Sequence, residues 1–220
     1  MEAYLGTVLM RTLHILFGIL WIGLLYYFNF VQTEYFKEAE PAHRSGAIQK
    51  LVPRALWWFR WGAMLTFLTG VALLAYRHTG LTYAITIGSV LGTLMFLNVW
   101  LIIWPNQKIV IASANAVAEG NDALPEAAVA APKAALASRT NTLFSAPMLF
   151  MMFASGHLSL GSNTMLAAAS GASIAAVLII IILLEINAIF GKQGPLTSVS
   201  GVIHCGLGLT AVFYLLMALL

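Results

Sequence analysis

The sequence is short of charge and almost without cysteine. Of its 220 residues only 9% are Asp, Glu, Lys or Arg, against about a quarter in an ordinary soluble domain. So few charges cannot clothe a water-facing surface, and a soluble fold is excluded. The single cysteine, Cys205, rules out a disulfide framework within the chain, and without a CxxCH motif there is no covalently attached haem c. A glycine-rich nucleotide loop and an HExxH metal doublet are missing too. The formal net charge of +3 comes from bases set beside apolar runs rather than gathered in a patch, so no nucleic-acid partner is expected.

What the chain has instead is apolar length. Hydrophobic residues make up 60% of it, and several stretches reach the ~20 residues needed to cross a hydrocarbon core about 30 Å thick. Backbone polar groups in lipid must be satisfied within their own segment, so these stretches are read as helices. The expected fold class is an all-α, polytopic membrane helix bundle in a lipid bilayer, a single domain over residues 1–220. About six transmembrane helices are expected, near 5–30, 56–76, 82–104, 142–160, 166–189 and 199–220, with a helical cytoplasmic loop over 105–141 that Pro125 and Pro132 interrupt. Nine bases, from Lys37 to Lys192, fall on the side of the larger loops, and only Arg11 and Arg77 fall on the other. Bases mark the cytoplasmic side, which puts both termini on the periplasmic or exterior face.

An ionisable side chain at membrane depth costs at least ~2.5 kcal/mol, so those present mark function or a buried polar contact. His14 lies in the first span, Asn98 in the third, His157 in the fourth, Glu185 and Asn187 in the fifth and His204 in the sixth, with His78 in the RHTGL turn. They sort into an outer layer of imidazoles and an inner layer holding a carboxylate and an imidazole. Helix bundles bind haem iron through inward-facing histidines. His14 and His157 are therefore the first candidates for an outer haem, His78 the substitute ligand, and His204 the candidate for an inner one; the expected cofactor is haem b, one or two copies. Gly18 and Trp21, four and seven residues after His14, would line the porphyrin. The same small residues equally suit plain helix packing, and a span histidine can be satisfied by a carbonyl or hydroxyl. Glu185 with His204 is the candidate catalytic pair, as proton relay or substrate partner, or else a structural pair.

Three runs carry a resemblance: HILFGILWIGLLYYFNFVQ (14–32), WPNQKIVIA (104–112) and SRTNTLFSAPMLFMMFASGH (138–157). Together they resemble the membrane domain at the N-terminus of bacterial membrane-bound urate oxidases. A weaker likeness, a histidine seven residues before a tryptophan, is to haem-binding membrane proteins of the HemJ and CopD type. The first resemblance implies a bacterial inner-membrane redox protein that passes electrons from a small substrate or quinone to a c-type cytochrome or the respiratory chain. Where that family continues into a cytochrome c domain, this sequence ends at Leu220, so the expected partner is a separate c-type cytochrome or another respiratory subunit. Asn29, Gln32, Asn106, Arg139 and Asn141 lie at span ends on one side, where they would form a polar mouth for a substrate or quinone headgroup. Two other readings stand beside this one: an accessory subunit of a larger respiratory complex, and a proton-coupled transporter using Glu185 and His204.

Overall fold

The structure is a computed structural model in which residues 2–77, 80–157 and 166–220 are described; His78 and the turn 161–165 lie outside them. Helix α1 (Glu2–Tyr26) runs through a π-helical turn (Tyr27–Gln32) into α2 (Thr33–Glu38). Then come α3 (Pro41–Lys50) and α4 (Val52–Arg77). Helix α5 (Tyr83–Leu97) passes through a second π-helical turn (Asn98–Ile103) into α6 (Trp104–Ala118), and α7 (Ala127–His157), α8 (Gly171–Phe190) and α9 (Val199–Leu219) complete the chain. Side-chain caps start two of these helices: Thr82 Oγ1 accepts from the Ile85 amide, and Ser198 Oγ from that of Gly201.

Five helical stretches among the described residues are long and apolar enough to cross a membrane: Leu5–Glu38, Val52–Tyr76, Tyr83–Ala118, Gly171–Phe190 and Val199–Leu219. The remaining expected span falls on α7, which is long enough but more polar. Its position explains why. Helix α7 packs against α1, α5, α6, α8 and α9, and sixteen of its 31 residues are buried. A helix screened from lipid by its neighbours has no need of an apolar surface on all sides.

Around this centre the other helices pack closely where side chains are small. A Cβ on Gly62 of α4 would stand 3.2 Å from the Trp21 backbone nitrogen, and one on Gly88 of α5 would stand 3.2 Å from that of Met152. Tyr83, at the start of α5, hydrogen-bonds Ser173 of α8, whose hydroxyl donates to the Leu216 carbonyl of α9. Gly6 of α1 faces Tyr76 at the end of α4.

The connection 105–141 differs from expectation. Helix α6 does not start afresh after Trp104 but extends α5 without a break, and residues 127–141 are the opening turns of α7, which runs through both Pro132 and Pro147. Proline breaks a helix by removing one amide and crowding the carbonyl four residues back. Before Pro105 the π turn has already left the i→i−4 register, and Asn106 Nδ2 donates to the Ile102 carbonyl at 2.7 Å. The first π turn is braced in the same way, with Asn29 donating to the Leu25 carbonyl and Thr33 Oγ1 to that of Phe28.

Candidate functional site

Among the described residues, a run of buried polar side chains lies in α7 around SRTN, residues 138–141. Arg139, Thr140 and Asn141 are buried, Arg139 with 3% of its surface exposed. The two π turns flank this segment, and each brings an asparagine to it. From the first, Asn29 Nδ2 donates to Ser138 Oγ at 2.8 Å. From the second, Asn98 Nδ2 donates to Asn141 Oδ1 at 3.0 Å and to Glu185 Oε2 of α8 at 3.2 Å, while Asn141 Nδ2 donates to the Met95 carbonyl at 2.9 Å. One turn further along α7, the Tyr26 and Ser145 hydroxyls are 2.9 Å apart, and Ser145 donates to the Thr142 carbonyl. Single π turns interrupt helices most often at functional sites, because the extra residue re-aims a side chain. Here both interruptions aim an amide at the same helix.

Two polar atoms of this region remain unmatched. Arg139 Nη1 and Gln32 Oε1 are buried and have no hydrogen-bond partner. The charge acting on Arg139 is Glu34, which is itself paired with Lys37 at 2.7 Å. Gln32 lies one turn beyond Asn29, and Arg139 follows the serine that Asn29 binds. The two stand on separate elements, a guanidinium donor on α7 and an amide acceptor at the end of the first π turn, and neither bonds the other. Such a pair suits a ligand that offers an anionic or carbonyl oxygen to one and an N–H to the other.

Of the residues expected at the mouth, Asn29 bonds Ser138, the residue before Arg139, and Asn141 bonds Asn98, whereas the Asn106 side chain turns back on its own helix. Asn98, which supplies the link to Glu185, was visible in the sequence only as a polar residue within a span. Glu185 and His204 are not brought together by any contact among the described residues. Glu185 faces Asn98, while His204 is exposed and its Nδ1 bonds the Ser200 carbonyl of its own helix at 2.7 Å. The rotation of α8 and α9 decides this, since neighbours in depth need not share a face.

The imidazoles of the outer layer are separate as well. His14 is half-buried against α4: its Nδ1 lies 3.0 Å from the Thr66 carbonyl and 3.1 Å from Thr69 Oγ1, and a Cβ on Gly70 would come within 3.1 Å of its ring. A carbonyl accepts, so Nδ1 carries a proton, and in the neutral ring Nε2 then keeps its lone pair. That is the arrangement a haem-ligating histidine adopts. His157 instead is exposed, stacked on Phe153 at 4.2 Å with Nδ1 bonded to the Phe153 carbonyl. Gly18 packs on Thr66, and Trp21 is buried with its Nε1 unpartnered. The donor chemistry of His14 fits a haem iron, but no contact joins its ring to His157. Two small clefts of about 280 and 290 Å³ lie elsewhere, between Leu74 and Leu94 and between Tyr83 and Leu220, and neither is lined by a histidine.

Comparison with known families decides the relationship. Residues 77–198, more than half of the chain, match the family described as Urate oxidase N-terminal. The chain belongs to this family. The matched stretch holds Asn98, Arg139, Asn141 and Glu185, the second and third resembling runs, and His157; it excludes His14, Gln32 and His204. No curated protein and no solved structure matches. The stretch matched to the urate oxidase N-terminal family thus spans the α7 segment, Asn98 and Glu185, and does not reach His14.

Proposed function

We propose that this chain is a redox membrane domain of the urate oxidase type, which takes up a small planar polar substrate or a quinone headgroup beside Arg139 and passes its electrons towards a c-type cytochrome or the respiratory chain of a bacterial inner membrane. The observation that carries this reading is the buried Arg139 guanidinium with Nη1 unpartnered; Gln32 Oε1 is a second buried atom without a partner. A buried cation is expensive unless an anion or strong acceptor meets it. Urate is a flat anion whose rim alternates carbonyl oxygens with N–H groups. A rim oxygen suits Arg139 Nη1 and a rim N–H suits Gln32 Oε1. Asn29, Asn98 and Asn141 hold the surrounding backbone and fix the spacing. Glu185, the carboxylate hydrogen-bonded to Asn98, is the group available to accept a proton released on oxidation.

Bound haem b supplies single-electron steps between a two-electron donor and a one-electron acceptor. The chain's own part at such a site is the Thr66 carbonyl, which holds the His14 ring with Nε2 unprotonated.

The test is urate-dependent reduction of an added c-type cytochrome by the purified full chain, with a quinone offered in parallel. Arg139→Gln should lower kcat/KM at least about tenfold, the effect of losing a hydrogen bond to a charged group worth ~1.5–3 kcal/mol. A folded chain that reduces neither acceptor in the presence of urate removes the proposal. A spectrum of the dithionite-reduced protein tests the haem separately: a b-type α band that weakens in His14→Ala supports it, and a colourless protein ends it.

A further inference from the structure

A second unsatisfied site lies on another flank and owes nothing to Arg139. The Arg60 guanidinium carbon of α4 stands 3.5 Å from the centroid of the Trp104 ring and 6.0 Å from that of Trp100, and Lys108 Nζ stands 5.6 Å from the Trp104 centroid. Two cations on one indole gain cation–π attraction, but they also repel each other unless an anion lies between them. The described residues offer none. The one ion pair among the described residues is Lys37–Glu34, and neither Arg60 nor Lys108 meets a carboxylate. Arg60 Nε and Trp100 Nε1 are moreover buried donors without an acceptor. Two positive charges thus stand over the Trp104 ring, with two N–H groups lacking an acceptor on Arg60 and on the neighbouring Trp100, which is the complement of an anion with several oxygens.

The surroundings indicate from which side that anion arrives. Trp57, Trp58 and Trp61 of the same helix are exposed, and Trp61 meets Trp100 edge-on at 5.8 Å. Exposed indoles on an apolar helix belong at the headgroup level of a bilayer, and basic pockets between spanning helices hold anionic headgroups. We propose that Arg60, Lys108 and the Trp100 N–H bind the phosphate of an anionic lipid, with the exposed indoles beside it packing on the glycerol and upper acyl chains. A membrane-embedded phosphate reaches Arg60 along the tryptophan face of α4.

The experiment uses the full chain in neutral detergent. Its unfolding midpoint is followed while phosphatidylglycerol, phosphatidylcholine or inorganic phosphate is titrated in. Phosphatidylglycerol should raise the midpoint where the other two do not. Lys108→Gln, a change at an exposed position, should raise the half-maximal phosphatidylglycerol concentration about fivefold, equivalent to the ~1 kcal/mol that a basic residue contributes at an anionic surface. Arg54→Gln, an exposed base on the same helix, should leave that concentration unchanged. The proposal is overturned by equal stabilisation with phosphatidylcholine, by an unchanged Lys108→Gln, or by an equal loss in Arg54→Gln, which would mean diffuse surface charge. A full shift with inorganic phosphate alone overturns the lipid and leaves a soluble anion as ligand.

Discussion

Helices α7 and α8 touch in the bundle yet are built on opposite plans. Helix α7 carries Arg139, Thr140, Asn141 and Ser145 in its buried part, and sixteen of its 31 residues are buried. Helix α8 is mostly Ile, Leu and Ala, with only four of its 20 residues buried. Ile182, Leu183 and Ile186 of α8 are exposed. In water the apolar helix would be the inner one. In lipid the order reverses, because hydrocarbon solvates leucine and isoleucine as well as a protein core does, whereas amides and guanidinium need partners that only other helices supply. Polarity marks the inside of this molecule, and Glu185, the carboxylate of α8, points the same way by meeting Asn98.

The contrast can be broken by mutation. The largest effect is expected at Phe144 of α7, which has no exposed surface. Phe144→Ala should lower the stability of the purified protein by about 3–5 kcal/mol through the cavity it leaves, read as a fall in the unfolding midpoint. A smaller loss, ~1–3 kcal/mol, is expected for Asn141→Ala, which strips Asn98 of one acceptor and removes the side-chain donor to the Met95 carbonyl. Asn98→Ala together with Asn141→Ala should then cost less than the two single losses added, since the pair acts as one unit. At the other extreme, Ile182→Ala on the lipid face of α8 should change stability by no more than about 0.5 kcal/mol. If Ile182→Ala proved as damaging as Phe144→Ala, α8 would have to be covered by protein rather than lipid.

Much of the site could be read in the sequence, and the part that could not has a clear physical cause. Asn29, Arg139 and Asn141 stand in the resembling runs; Asn29 bonds Ser138 beside Arg139, and Asn141 bonds Asn98. These contacts depend on two π turns, and nothing in YFNFVQ or NVWLII states that the helix will shift register there. Those shifts also explain why the helix continues past Trp104 and Pro105, where composition argued for a stop. His14 was noticed for its chemistry, but its partners Thr66 and Thr69 lie 52 and 55 residues away, and local spacing holds no record of that contact. Glu185 and His204 were paired by depth alone. Depth follows from a residue count along each helix; the direction a side chain faces follows from how each helix turns against its neighbours.

The sequence by itself determined that this is a helical membrane protein with its ionisable groups at a few depths, and its runs pointed to the urate oxidase family. These conclusions rest on quantities that are additive along the chain: hydropathy, length and the order of residues. The tertiary structure alone decided that α7 is the centre, that two π turns present Asn29 and Asn98 to it, and that Arg139 and Arg60 each remain with an unmatched nitrogen. Such facts depend on the relative rotation of helices far apart in sequence, and a rotation of a quarter turn would place any of these side chains in lipid instead.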